Sequence, residues 1–285
     1  MNFKDALKLV VKILILTIVM FISVTIASKI VPLTLEQLSA EESKYLLPTL
    51  LMVYFLSILV VSYPIVHSRW YGWRLILTMI AVFFVIRDFQ SQIEVCFFRS
   101  AFEIPIDMQF RMILQSLISL IIFTPAAVLL LGKMKRDKAE GESNLQFDMR
   151  GGEWVWRLLL LSLIFACIYF LCGNFIAMQS SAVREFYEGH LDISTGYLFL
   201  LQIGRGLVWI LIALPVIKMM NGKKWENALI LGCMFAVIHS VQIVIPNPLM
   251  PTAVRMVHLV ELLVSLFSFG FIIGLFINVH ETSEG

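Results

Sequence analysis

The stretch Asn247-Pro-Leu-Met-Pro-Thr-Ala-Val-Arg-Met-Val-His-Leu-Val-Glu261 turns the chain between two long apolar runs and places charged residues inside the second run. Proline ends helices and asparagine favours turns, so residues 247–251 predict a short connection between two antiparallel helices. Arg255, His258 and Glu261 follow at three-residue steps, which puts three ionisable groups on neighbouring faces of one helix. Such groups are costly inside an apolar helix, so this stretch is the first candidate for a functional site.

The composition shows that the whole chain is apolar. Of its 285 residues, 59% are hydrophobic and 15% are charged, and the mean hydropathy is +0.88. Soluble domains carry about 25% charged residues, so the sequence predicts an all-α, polytopic integral membrane protein whose partner is the lipid bilayer. The net charge is only +2 and the basic residues form short clusters, which excludes nucleic acid as a partner. Protein partners and a small-molecule or peptide substrate stay unknown.

Eight apolar runs predict eight transmembrane helices. A helix rises about 1.5 Å per residue, so about 20 residues cross the hydrocarbon core. The predicted spans are residues 7–31, 45–66, 73–86, 108–131, 154–177, 196–217, 227–245 and 252–278. The third is short and ends at Arg87-Asp88, so we expect residues 88–108 to form an amphipathic segment outside the membrane.

Lysine and arginine residues predict the orientation, because cytoplasmic loops are enriched in them. With eight spans, the basic clusters all fall on one side: the N-terminal lysines, Arg69 and Arg74, residues 133–138 with Arg150, and Lys218, Lys223 and Lys224. We expect that side, with both termini, to be cytoplasmic, in the cytoplasmic (inner) membrane of a bacterium. A cytoplasmic linker, residues 139–153, then separates an N-terminal four-helix half (1–138) from a C-terminal four-helix half (154–285).

Helix depth connects the candidate residues of the C-terminal half. Counted from the outer surface, His239 and His258 both lie about 9 Å deep, and Arg205 and Glu261 both lie about 13 Å deep. Opposite charges at equal depth should pair, so we predict an Arg205–Glu261 ion pair beneath a layer formed by the two histidines.

Other polar residues extend this cluster at helical spacing. They are Gln202 beside Arg205, Gln242 beside His239, and Ser265 and Ser268 below Glu261. The outer mouth would be lined by Arg184, Glu185, Glu188, His190 and Asp192. The sequence thus predicts an outward-facing intramembrane polar cluster. Its candidate catalytic residues are His239, His258 and Glu261, and its candidate structural or binding residues are Arg205, Arg255, Gln202 and Gln242.

Arg205-Gly-Leu, followed by Phe235-Ala-Val-Ile-His239, resembles a motif pair of the CAAX-processing and bacteriocin-processing family of intramembrane proteases. That family pairs Glu-Glu-x-x-x-Arg with Phe-x-x-x-His on neighbouring spans and uses them to hold a metal or to activate water. Here Leu200 and Leu201 replace the two glutamates, and no terminal His-x-x-x-Asn motif follows. The resemblance implies a divergent intramembrane enzyme whose protease activity is in doubt.

A second resemblance covers more of the chain. The stretch from Tyr169 to Val183-Arg-Glu-Phe-Tyr187, together with Asn247-Pro-Leu-Met-Pro and Arg255-Met-Val-His-Leu-Val-Glu261, is similar to a family of bacterial polytopic membrane proteins to which we attach no activity. This resemblance implies the eight-span topology.

Three functional classes stay open. In an enzyme, His239, His258 and Glu261 would bind a metal or act as acid and base, although a clear nucleophile is missing. In a proton-coupled or small-solute transporter, the same residues would form a midplane site and a proton relay. In a structural or sensory protein, they would set the helix register or bind lipid. The four cysteines form no CxxC pair, so the sequence indicates no zinc motif, and metal and cofactor stay undetermined.

Overall fold

The computed structural model describes residues 3–33, 38–98, 104–135, 144–147, 150–188, 194–277 and 279–282. The described chain is almost entirely helical. Its α-helices are α1 (Phe3–Ile30), α2 (Ala40–Val66), α3 (Gly72–Phe84), α4 (Gln90–Phe97), α5 (Ile106–Leu130), α6 (Gly151–Phe175), α7 (Ser181–Tyr187), α8 (Thr195–Met219), α9 (Lys224–Cys233) and α10 (Thr252–Phe276). The other elements are two π-helical segments (Val85–Phe89 and Met234–His239), two 3-10 turns (Ala177–Gln179 and Val241–Val244) and two strands, β1 (Asn144–Phe147) and β2 (Val279–Thr282).

Seven helices in the described ranges are long and apolar enough to cross a membrane. They are Lys4–Ile30, Ala40–Val66, Ile106–Leu130, Gly151–Gln179, Thr195–Met219, Lys224–Val244 and Thr252–Phe276. Each corresponds to one predicted span, because uninterrupted apolar runs flanked by polar and turn residues decide where such helices begin and end. Seven helices of this kind are compatible with a multi-pass membrane protein.

The third predicted span differs from the prediction. Helix α3 continues through the π-helical segment Val85–Phe89 into α4, and the backbone keeps right-handed helical geometry at both junctions. The expectation that the helix ends at Arg87-Asp88 is therefore wrong. Residues 72–97, called the third helix below, form one rod about 39 Å long at 1.5 Å per residue. Its charged pair lies in a π-helical segment, a feature that is frequent at functional sites.

Hydrogen bonds between loops define one end of the bundle, called the Arg69 face. The Arg69 backbone N–H donates to the Met219 carbonyl at 2.6 Å, and that of Gly72 donates to the Lys133 carbonyl at 2.9 Å. The loops that follow α2, α5 and α8 therefore meet at this face. These are three of the basic loops for which the sequence predicts a common side. Two further basic residues of the segment after α5, Arg136 and Lys138, lie outside the described residues.

The opposite end, called the Val31 face, is defined by hydrogen bonds of glutamine side chains. Gln115 donates to the Val31 carbonyl at 3.1 Å, and Gln109 donates to the Gln92 carbonyl at 2.7 Å. Because Gln92 lies near this face and Gly72 lies at the Arg69 face, the third helix crosses the whole bundle. Its charged residues set it apart from the seven long apolar helices.

The last two spans are antiparallel neighbours, as predicted. A Cβ atom on Gly274 would lie 2.4 Å from the Ala228 Cα, and one on Gly270 would lie 2.8 Å from the Leu231 carbonyl oxygen. Small residues therefore let α9 and α10 pack backbone against backbone. In the turn that joins them, the Asn247 side chain accepts a hydrogen bond from the Leu249 N–H at 3.1 Å.

The two predicted halves share one hydrophobic core. It includes Leu16 and Phe83 from the first half and Trp209, Phe235 and Phe269 from the second, all almost completely buried. The two π-helical segments, one from each half, pack against each other in this core. Polar side chains near these segments are thus enclosed by apolar helices.

Candidate functional site

Part of the predicted cluster forms a chain of hydrogen bonds on α10. His258 Nδ1 and Glu261 Oε2 are 2.6 Å apart, and His258 Nε2 is 3.1 Å from the Tyr187 hydroxyl. Both α10 side chains are mostly buried, with exposed fractions of 14% for His258 and 7% for Glu261. A carboxylate accepts hydrogen bonds, so in the neutral imidazole Nδ1 carries the proton and Nε2 accepts from Tyr187. The chain of bonds thus runs from a phenol through an imidazole to a carboxylate.

Helix α7 positions Tyr187 in this chain. Val183 on α7 is fully buried and packs with Ala177 and Val254, which holds the short helix against the start of α10. Burial raises the pKa of the Tyr187 hydroxyl above its usual range, and the charges of Glu94 and Glu261 act in the same direction. The hydroxyl therefore stays protonated around neutral pH and remains a hydrogen-bond donor to His258.

Arg205 is buried, but its carboxylate partner is Glu94 on α4, so the predicted Arg205–Glu261 ion pair is wrong. Arg205 also donates to the Gln202 side-chain oxygen at 3.0 Å, as the helical spacing predicted, and to the Gln90 side-chain oxygen at 3.3 Å. The Gln90 amide in turn donates to the Arg205 carbonyl at 3.2 Å. Depth counting could not find Glu94, because the sequence interpretation placed that residue outside the membrane.

Tyr169 on α6 lies near enough to Glu94, Arg205, Glu261 and Tyr187 to interact electrostatically with each of them. A Cβ atom on Gly173, one turn further along α6, would lie 3.6 Å from Glu261 Oε1. We refer to Glu94, Tyr187, Arg205, His258 and Glu261 as the C-terminal cluster.

His239 does not form a layer with His258. Its Nδ1 atom is 2.8 Å from the Ile86 carbonyl oxygen, and its ring lies 5.4 Å from the Trp209 ring in an edge-on arrangement. A carbonyl only accepts, so Nδ1 carries the proton. Ile86 and His239 belong to the two π-helical segments, and this hydrogen bond therefore links the N-terminal half to the C-terminal half.

Arg255 stabilises the turn before α10. It donates to the Ile245 carbonyl at 2.7 Å and to the Thr252 hydroxyl at 2.6 Å, and it lies 3.8 Å from a Glu42 carboxylate oxygen. Its side chain is only 2% exposed. These contacts agree with the structural role that the sequence left open for this residue.

The sequence interpretation missed a second charged group, formed by Arg87 and Asp88. Arg87 Nε donates to Asp88 Oδ2 at 2.7 Å, and Nη2 donates to the hydroxyls of Ser116 and Ser119 at 3.0 and 3.2 Å. Ser116 also donates to Asp88 Oδ2. Arg87 is only 6% exposed. The only signal of this group in the sequence was the Arg-Asp dipeptide. Such a dipeptide is compatible both with the end of a span and with a charged pair inside one.

A cavity of about 170 Å³ lies beside this pair, and we refer to it as the N-terminal cavity. Its polar lining comprises Tyr54, Arg87, Asp88, Gln92, Gln115, Ser116, Ser119 and Gln242, and Val24, Leu33 and Met112 add apolar surface. Gln242 thus lines this cavity, and its amide donates to the Ile238 carbonyl at 3.2 Å. A residue predicted for the C-terminal cluster therefore completes the wall of a different site.

The other residues predicted for the polar cluster and its outer mouth do not join the C-terminal cluster in the described part of the chain. Ser265 is buried and donates to the Leu262 carbonyl at 3.3 Å, and Arg184 is exposed and donates to the Met178 carbonyl at 2.7 Å. His190 and Asp192 are outside the described residues. Within the described ranges, no group of three or more His, Cys, Asp and Glu side chains is arranged to hold a metal ion.

Comparisons with known proteins identify no relative. No family model matches the chain, and neither the curated proteins nor the solved structures contain a significant match. The two family resemblances therefore stay predictions, and the geometry of the C-terminal cluster and the N-terminal cavity supports the functional inference.

Proposed function

We propose that the protein is an integral membrane protein with eight spans. The third helix is one of these spans, although its charged residues make it differ from an ordinary apolar transmembrane helix. This helix extends between the same two faces as the seven apolar helices. Its ionised side chains have partners: Arg87 pairs with Asp88, and Glu94 pairs with Arg205. Pairing offsets much of the free-energy cost of placing a charge within a bilayer.

In the proposed orientation the Arg69 face is cytoplasmic and the C-terminal cluster opens towards the outside, in the cytoplasmic membrane of a bacterium. The meeting of basic loops at the Arg69 face supports this orientation, since cytoplasmic loops are rich in lysine and arginine. The polar loop around Asn247 then lies outside.

We infer that the protein works as a proton-coupled carrier of a small polar solute. The observation that carries this inference is the His258–Glu261 pair, buried among apolar helices and connected to Tyr187 by a hydrogen bond. An imidazole and a carboxylate in contact can exchange a proton with little movement. Uptake of a proton there changes the charge of a cluster that also contains Arg205 and Glu94, and such a change can shift the relative stability of two helix arrangements.

The second candidate is a divergent intramembrane enzyme, and one observation favours it. Glu94 supplies a carboxylate beside Arg205, although the family motif would place glutamates at Leu200 and Leu201. His239 Nδ1 donates to the Ile86 carbonyl, so Nε2 is the ring atom that would bind a metal or a water molecule. Metal analysis of the purified protein tests the metal-binding form of this candidate: metal in the unsubstituted protein that disappears in His239→Ala would support it.

Proton flux into proteoliposomes under an imposed pH gradient tests the carrier. We expect Glu261→Gln to lower the flux at least tenfold relative to the unsubstituted protein. Glu185→Gln is the matched control, because it removes the same charge from an exposed position on α7 near the cluster. Equal flux in the two variants would contradict the proposal. If Glu261→Gln instead only lowers the yield of folded protein, the cluster has a structural role.

A further inference from the structure

We propose that the N-terminal cavity binds a small organic amine, with its ammonium group facing Asp88 and Gln92. The identification of this amine as the transported solute rests on the carrier function proposed above. Binding itself does not, since it follows from the hydrogen-bonding capacity, charge and size of the cavity wall.

The guanidinium and serine donors of the wall already have partners within the protein, whereas the Tyr54 hydroxyl has none among the described residues. Arg87 donates to Asp88 and to the hydroxyls of Ser116 and Ser119, and its Nη1 atom lies 3.9 Å from the Met20 sulfur. The hydroxyl protons are also committed, since Ser116 donates to Asp88 and Ser119 donates to the Ser116 carbonyl at 2.7 Å. A ligand that needs strong donors, such as a carboxylate or a phosphate, therefore finds few of them here.

Acceptors, in contrast, remain available. Gln92 is only 8% exposed, and its buried Oε1 atom has no hydrogen-bond partner among the described residues. Asp88 accepts its hydrogen bonds from Arg87 and Ser116 through Oδ2, and no described residue donates to Oδ1. The amides of Gln115 and Gln242 donate to backbone carbonyls, which leaves their side-chain oxygens as acceptors. A buried acceptor without a donor is unfavourable. Turning the Gln92 amide into the cavity that this residue lines would bring Oε1 to an N–H group of a ligand.

The charge and the volume of the cavity restrict the class of ligand further. The charges of Arg87 and Asp88 balance, so a cation meets no net positive charge on the wall, and it can interact with the free oxygen of Asp88. The volume of about 170 Å³ is below the roughly 300–1,000 Å³ of pockets that hold drug-sized ligands. Val24 and Met112 provide apolar surface for a short alkyl group. These properties together select a small alkylamine in its ammonium form.

The third helix connects this cavity to the C-terminal cluster. Asp88 faces the cavity, whereas Gln90 and Glu94, on the same helix, contact Arg205. A ligand that binds Asp88 therefore acts on the element that also holds the partner of Arg205. Such a shared element is what energetic coupling between solute binding and proton binding requires.

Thermal unfolding of the full-length protein in detergent, with n-propylamine or propionate as probe, tests the proposal. We expect propylamine to raise the melting temperature in a concentration-dependent manner and propionate to leave it unchanged. In Gln92→Met, which removes the unpartnered acceptor without disturbing the Arg87–Asp88 pair, we expect the propylamine affinity to fall at least fivefold. Gln179→Met is the matched control and should bind propylamine as the unsubstituted protein does, since Gln179 is exposed, donates to the Asn174 carbonyl and is not part of the cavity wall.

The result that overturns the proposal is an equal response to both probes, or unchanged propylamine affinity in Gln92→Met. Asp88→Asn provides a second test if it folds, with a larger expected loss of affinity because the charge that attracts the ammonium group is removed. Amine binding that depends on Gln92, without proton flux in proteoliposomes, would overturn the carrier and support the binding site. Proton flux that depends on Glu261, without amine binding, would overturn the binding site alone.

Discussion

The C-terminal cluster and the N-terminal cavity use buried charges in different ways. In the cluster, each carboxylate has a charged or titratable partner: Glu261 contacts His258, and Glu94 contacts Arg205 on another helix. At the cavity, the ion pair consists of adjacent residues, Arg87 and Asp88, and unmatched acceptors remain beside an open space. The difference teaches that a wall with unused hydrogen-bonding capacity suggests a ligand, whereas a fully paired cluster suggests proton exchange or helix positioning.

The largest loss of stability is expected for a substitution in the charged pair beside the N-terminal cavity. Arg87→Leu leaves Asp88 in the bundle without its cation, and removing one partner of a buried ion pair costs about 3–5 kcal/mol. We expect a strongly reduced melting temperature or loss of folded protein in detergent. Arg111→Leu is the control, since its ion pair with Asp107, at 3.9 Å, is exposed and worth at most about 1 kcal/mol. Equal stability of the two variants would show that Arg87 is not held by this pair.

The partner of Arg205 can be measured by double-mutant cycles. For residues in contact, interaction energies of about 0.5–3 kcal/mol are typical. We expect a value in this range between Arg205→Leu and Glu94→Gln, and a smaller one between Arg205→Leu and Glu261→Gln. The melting temperatures of the single and double variants supply both cycles. A stronger interaction with Glu261 would restore the pairing that the sequence predicted and contradict the structure.

Loss of the hydrogen bond between the two π-helical segments should lower the stability by a smaller amount. His239→Ala removes the donor to the Ile86 carbonyl, and leaving a buried acceptor unmatched costs about 1–3 kcal/mol. We expect lower stability but intact proton flux, because His239 has no contact with the Glu261 pair. His67→Ala is the control, since the exposed His67 side chain forms its hydrogen bond with the Tyr63 carbonyl of the preceding helix, at 3.0 Å. Loss of flux in folded His239→Ala would assign this histidine to the proton pathway.

The smallest effect concerns Tyr187. Tyr187→Phe removes one hydrogen bond, so we expect a loss of about 1 kcal/mol near neutral pH. Burial raises the pKa of this hydroxyl in the folded protein above 10.0, the ordinary tyrosine value. As the pH rises above 10.0, Tyr187 therefore ionises in the unfolded chain before it ionises in the folded protein, and this lowers the stability of the unsubstituted protein. The difference between the two proteins should therefore shrink above pH 10.0. Chemical unfolding at several pH values measures it, with the exposed Tyr45→Phe as control. A difference that grows with pH would contradict this assignment.

The sequence was informative where the signal is local. Long apolar runs marked seven helices, the Asn247 turn predicted that α9 and α10 are neighbours, and helical spacing placed Gln202 beside Arg205 and Glu261 near His258. The sequence led to a wrong prediction where one local pattern was compatible with two structures. Arg87-Asp88 was interpreted as the end of a helix, and this one error removed both the N-terminal cavity and Glu94 from consideration.

The sequence by itself determined the helices, their apolar character and the presence of ionisable groups among them, because hydrophobicity and helical periodicity depend on residues close together in the chain. Only the tertiary structure decided which groups meet. Glu94 reaches Arg205 across 111 residues, and His239 reaches the Ile86 carbonyl across 153. Pairing over such separations depends on how the helices pack and rotate, and the depth of a residue along its own helix cannot specify that.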